Sequence, residues 1–321
     1  MFYFPAICCL GEPHWAKRPG NSRLAVRLLL TGILAAAGCG SAGPERSDHE
    51  PLRVAAAIEP IAFLVERVAG PYAQVEVLIP AGADAHTFQL SPRQMTELAK
   101  ADLCFRVGLA LEDRMLEKVR QSRPDFPVVD LAEGLARRPL SPEDHRHHHD
   151  HESGDSDSPA AKGILPQKEE HHEGGESAGL DPHIWLSPPL LKAEAQRIAH
   201  ALSQHDPAHA AQYRQNLAQL EAELDVLHAW IGQQLAPYRG RTFLVFHPSF
   251  GYFADCYGLR QMAVQVEGKT PTPQELRRLI QQAQSEGTSI ILVQPQFDHR
   301  AAQVAAEAVG ARLVEINDLD R

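Results

Sequence analysis

The sequence is short of three things: long apolar runs, basic charge and cysteine. Its apolar stretch near the start, residues 28–37, is too short to cross a bilayer as a permanent helix. The formal net charge of −10 argues against nucleic acid as the main partner, because phosphate binding needs a basic patch and none is visible. Of the 5 cysteines, Cys8, Cys9 and Cys39 precede residue 40, leaving Cys104 and Cys256, one in each half of the chain. That separation is poor geometry for a staple, so two free thiols packed as small hydrophobes are expected. No clear sequence repeat relates the two halves.

What is present begins with an export signal. Arg23 and Arg27 precede the apolar run, which ends in Ala36-Ala37-Gly38-Cys39. A charged segment, a short apolar segment and small residues before a cysteine have the form of a secretory leader, residues 1–39, with a lipobox whose cysteine would be lipidated. The usual leucine three places before that cysteine is Ala36 here. An ordinary signal peptide cut elsewhere is the alternative. Residues 40–50, small and polar, read as a tether.

From residue 51 the pattern alternates between strand and helix. Apolar runs of strand length fall at 52–58, 75–79, 103–107 and 128–131, with helical patterns between them. Ser91-Pro92 and Thr272-Pro273 mark helix starts, a capping hydroxyl followed by proline at the first position. Two helical patterns in succession, beginning at Pro188 and near Asp206-Pro207, interrupt the rhythm as a boundary between lobes would. Strands then return at 242–246, 261–266, 289–293 and 312–316. The length of 321 residues suits two domains of ordinary size. The expectation is an α/β protein with two lobes of parallel sheet, residues 51–187 and 205–321, and ligand sites at the strand ends.

One segment fits neither lobe. Between 141 and 179 the chain carries His145, His147, His148, His149, His151, His171 and His172 among acidic residues, glycine and serine, with almost nothing apolar. Such a stretch cannot offset its chain entropy by forming a core and is expected to be a disordered loop. Its imidazoles and carboxylates would capture zinc weakly at several places. A solvating linker with incidental histidines is the plainer reading.

Three other histidines have constrained settings: His86 after Pro80-Ala81-Gly82, His183 between Pro182 and Trp185, and His247 before Pro248. Each lies at a strand end or in a short turn. A lone histidine is more often structural or solvated, which is the reading for His200, His205, His209, His228 and His299. Together, three imidazoles plus an oxygen donor or water would complete a zinc tetrahedron between the lobes, whereas manganese would call for more carboxylate.

Several ordered motifs resemble one family, the substrate-binding lipoproteins of bacterial zinc and manganese ABC transporters. They are Ile79 to Phe88 with Ser91-Pro92, Asp181 to Pro188, Val245 to Phe253 with Tyr257-Gly258-Leu259, and Gln294-Pro295-Gln296-Phe297. The resemblance implies two α/β lobes joined by a long rigid helix, placed at 188–204, with a metal buried in the interlobe cleft. It also implies docking to an ABC permease and its ATPase, as a monomer on the extracytoplasmic or periplasmic face of the cell membrane. By the same resemblance His86, His183 and His247 are ligands, and the His/acid-rich insertion points to Zn²⁺ as the transported ion over Mn²⁺. Relatives end their last strand in Asp-Pro-Leu, whose Asp is the fourth ligand. This chain reads Asn317-Asp318-Leu319, which leaves Asp318, Asn317 or water as that donor. Members usually continue through another helix, so truncation of the gene or of its record is one reading of the end at Arg321. Two other classes stay open: a zinc hydrolase, with Glu59 and Glu267 as the nameable bases, and a surface adhesin.

Overall fold

The computed structural model describes residues 50–85, 87–139, 179–265, 272–297 and 299–320. Cys39, His86, Glu267 and the tract histidines His145, His147, His148, His149, His151, His171 and His172 lie outside them.

Two four-stranded parallel sheets carry the molecule. The first has the order β2-β1-β3-β4, built from β1 (Leu52–Ala56), β2 (Ala73–Val77), β3 (Leu103–Arg106) and β4 (Val128–Asp130). The second repeats that order as β6-β5-β7-β8, from β5 (Thr242–Val245), β6 (Arg260–Ala263), β7 (Ile290–Val293) and β8 (Arg312–Glu315). Every pairing is parallel. Parallel neighbours need crossover helices, which cover both faces and leave the central strands mostly apolar. In β1, Leu52, Val54 and Ala56 enter one core cluster while Ala55 enters another on the opposite face. In β5, Leu244 and Val245 divide in the same way.

The second strand lies two residues earlier than the apolar run at 75–79. Leu78 and Ile79 have left the strand proper, but their amides still donate to the carbonyls of Ala56 and Ala57 at 3.0 Å. Capping chemistry fixes the helices. Helix α1 (Glu59–Ala69) buries Ile61, Leu64, Val65 and Val68 at helical spacing and stops at Gly70, whose φ of 59° lies in the left-handed half of the map where glycine is favoured. Ser91 with Gln94 and Thr272 with Glu275 close reciprocal capping boxes on α2 (Pro92–Lys100) and α7 (Pro273–Ser285). Helix α3 (Ala110–Ser122) follows β3, α6 (Gly251–Tyr257) follows β5, and α8 (His299–Val309) follows β7.

Two helices lie between the sheets. Helix α4 (Pro188–His205) buries Ala195, Ile198, Ala199, Ala201 and Leu202 in the core of the first lobe. Helix α5 (Ala210–Leu235) follows, and its 26 residues make it the longest of the described elements and the one that leads to β5. The family's long connecting helix was expected at 188–204. The stretch from 188 to 205 packs against both α1 and α5, and its buried face joins the core around the first sheet. Helix α5 buries only Tyr213, Leu220 and Leu224. Polar contacts assist it: Asn216 Nδ2 donates to the Val68 carbonyl at the end of α1 (2.9 Å), and Arg67 meets Glu223 at 2.8 Å. Among the described helices none is long and apolar enough to cross a membrane.

Helix α4 also contains a liability. Glu194 is fully buried and neither carboxylate oxygen has a hydrogen-bond partner. Burial holds its carboxyl well above the usual range, so the folded state binds a proton that the unfolded chain releases. The stability associated with that proton is fully present below the unfolded carboxylate value and is lost as pH rises toward the folded one. Glu194→Gln is therefore expected to unfold at higher denaturant than the parent at pH 8, with the gap closing at pH 4.5. An equal gap at both pH values in urea titrations contradicts it.

Both predicted thiols are free, but they differ in setting. Cys104 is buried in the first sheet. Cys256 is half-buried and sits 3.8 Å from His228 Nδ1, which also lies 3.1 Å from the Tyr257 hydroxyl. The expectation of a packed hydrophobe therefore holds for Cys104 and not for Cys256, because the face of α6 that carries it meets a polar part of α5.

Candidate metal centre

The strand ends of both sheets open onto one cleft. His183 begins a short 3₁₀ turn, 184–186, just ahead of α4, and His247 follows β5 by two residues. Both rings are almost completely buried, His183 at 3% and His247 at 6% exposure. Their Nε2 atoms lie 3.3 Å apart, with the ring planes 72° from each other. In a zinc tetrahedron with Zn–N distances of about 2.0–2.1 Å, two nitrogen ligands stand roughly 3.3 Å apart. The two imidazoles thus present their outer nitrogens at the separation of a tetrahedral edge.

Each ring is oriented from behind. His183 Nδ1 is 2.7 Å from Asp181 Oδ1, which also accepts the backbone N–H of His183 at 3.0 Å. A carboxylate on Nδ1 makes that nitrogen the N–H and leaves Nε2 its lone pair, the arrangement common behind metal-binding histidines. His247 Nδ1 faces Gln265 Oε1 at 3.3 Å, and its ring stacks on Phe297 with centroids 4.9 Å apart. Trp185 walls the other side of His183, with centroids 5.2 Å apart.

Asp318 lines the same cleft, as do Asp84, Ala85 and Gln296. Its carboxylate is engaged: Gln294 Nε2 donates to Oδ2 at 3.0 Å and Gln296 Nε2 to Oδ1 at 3.1 Å. Trp185 Nε1 donates to the Asp318 backbone carbonyl at 2.8 Å, joining the turn after His183 to the end of the second sheet. Asn317 turns to a local task, its Oδ1 accepting the Leu319 N–H at 3.1 Å. Among the described residues no three His, Cys, Asp or Glu side chains meet as a metal-holding group. Of the sequence-assigned ligands, the fold brings His183 and His247 into contact, with Asp318 on the wall of their cleft.

Other histidines divide by setting. His200 and His205 are exposed, as a solvated reading requires. His209 stacks on Tyr72 at 3.8 Å and pairs with Asp206 at 2.7 Å, while His299 lies 3.7 Å from Glu315. Glu59 begins α1. Sequence reasoning missed Asp181, Gln265 and the two glutamines on Asp318. Asp181 stands two residues ahead of His183 in the same turn and the two glutamines stand together in one motif, whereas Gln265 had no local signal.

The family model described as zinc-uptake complex component A, periplasmic, matches residues 54–321. The high-affinity zinc uptake system protein ZnuA of Paracoccus denitrificans is 32% identical, over 90% of this chain and 88% of its own length. The manganese-binding lipoprotein MntA of Bacillus subtilis is 26% identical, over 74% of this chain and 68% of its own. A crystal structure of ZnuA superposes with a TM-score of 0.69 at 31% identity, covering 84% of this chain and 92% of the other.

Proposed function

Because the chain belongs to the family of periplasmic zinc-uptake complex component A, we propose that it is the extracytoplasmic receptor of an ABC importer, taking up Zn²⁺ and handing it to the membrane permease. The observation that carries this reading is the buried pair of Nε2 atoms, one from each lobe, 3.3 Å apart. A site made of two lobes can open by a small movement between them and release its cargo, which a zinc fixed within one lobe could not do as readily.

His86 would supply the third nitrogen, from the segment that follows the cleft residues Asp84 and Ala85. Asp318 would be the fourth donor after giving up one glutamine bond, with water as the alternative. Imidazole-rich coordination favours zinc over manganese, the metal in MntA's name. The leader would be cut ahead of Cys39, which would become the lipid-bearing N-terminus, residues 40–50 would be the tether, and the histidines of 141–179 would gather zinc for the central site. Residues 51–187, with that loop inserted, would form the first lobe and 205–321 the second. The protein is read as a monomer and, in keeping with a family of uptake components, as a receptor and not an enzyme.

Titration calorimetry tests this on the full chain. One tight zinc site per chain is expected, with manganese weaker, and with zinc affinity falling as pH is lowered from 8 to 5 because only neutral imidazole binds metal. Manganese binding tighter than zinc, or affinity independent of pH, would contradict it. Zinc-dependent ester or phosphate hydrolysis lost in His183→Ala would instead favour the hydrolase.

A further inference from the structure

The residue immediately behind the oriented histidine reaches across to the other lobe. Arg138, on the first lobe, places its Nε 3.9 Å from Asp181 Oδ2, the second oxygen of the carboxylate that holds His183. Its Nη1 donates to the Gly251 carbonyl at 2.9 Å and meets Asp255 Oδ2 at 2.5 Å, both on α6 of the second lobe. The backbones are tied as well. The Tyr252 hydroxyl accepts the Arg138 N–H at 3.0 Å and donates to the Asp181 carbonyl at 2.9 Å, while Asp181 N donates to the Arg138 carbonyl at 2.9 Å.

Gly251 shows how close the approach is. A Cβ there would fall 2.8 Å from Arg138 Nε and 3.1 Å from Asp181 Oδ2, so α6 rests its backbone directly on the arginine and the carboxylate. With Asp255 62% exposed, its ion pair with Arg138 is screened by solvent and adds little to stability. Its value is therefore positional. One guanidinium lies within ion-pair distance of the carboxylate that aims a metal-facing ring and bonds the lobe that brings the opposing ring.

We propose that Arg138 is a positioning residue for zinc retention: it couples the orientation of His183, through Asp181, to the seating of α6, so that loosening α6 loosens the zinc without removing a ligand. This rests on the zinc-receptor reading above. Zinc release and separation of Arg138 from Gly251 and Asp255 are then one event.

Zinc-loaded full-length chain mixed with excess chromophoric chelator gives the release rate. Arg138→Gln is expected to bind one zinc per chain but to release it about tenfold faster, on the scale of ordinary coupling between sites. Asp255→Asn, a change on an exposed side chain, should move the rate in the same direction with the zinc-free melting temperature unchanged. In the double variant the rate should match that of Arg138→Gln alone, since both changes break one contact. A release rate for Arg138→Gln and Asp255→Asn within about twofold of the parent, or singles that multiply in the double variant, would overturn the inference. Were the parent chain itself to hold no zinc, the receptor reading would fail first and take this inference with it.

Discussion

His183→Ala and His247→Ala will each lose zinc binding, by more than the roughly 10–100-fold that follows from disturbing a ligand's outer partner. The two rings come from different lobes and are buried with their Nε2 atoms in contact. Removing either leaves a cation with donors on one side and an apolar wall, formed partly by Phe297 or Trp185, on the other. Asp181→Asn is the matched control. It retains both rings but replaces the acceptor behind His183 Nδ1, so its loss should fall within the outer-partner range. Competition against a chelator of known affinity separates the cases. Equal losses in Asp181→Asn and His183→Ala would show that the ring acts as a packing element and not as a donor.

Glu112→Ala will be the most damaging change away from the histidines. Glu112 is fully buried on α3 and its carboxylate accepts the backbone N–H groups of Val107 (3.1 Å), Gly108 (2.7 Å) and Leu109 (2.8 Å). Burial pushes its carboxyl up to about 7, against the pull of Arg106 and these amides. Truncation strands three amides, each costing about 1–3 kcal/mol when left unpaired, so a loss of at least about 3 kcal/mol is expected. Leu109 lines the metal cleft, so zinc affinity should fall as well. Glu112→Gln retains an acceptor and should lose less on both counts. Urea denaturation of the zinc-free protein measures the first effect, and a loss below about 1 kcal/mol for Glu112→Ala would contradict it.

How far the sequence reveals this molecule depends on the range of the interaction. Helix starts at Ser91 and Thr272 were readable because a capping box closes within four residues. The strands were readable because a doubly covered parallel strand is apolar on both faces, and His183 and His247 stood out through their proline and aromatic neighbours. The common strand order of the two sheets left no sequence repeat, since crossover handedness and burial set that order and residue identity does not. Arg138 gave no signal at all: its partners Gly251 and Asp255 lie more than a hundred positions away. Gln294 was visible only as part of a motif, and its bond to Asp318 appears once β7 and β8 are paired.

The most direct test is a crystal of the zinc-loaded protein measured on both sides of the zinc absorption edge. One anomalous peak about 2.0–2.1 Å from both His183 Nε2 and His247 Nε2 is the predicted result. A peak bound by one ring alone, with the other turned away from it, would contradict a cation shared between the lobes.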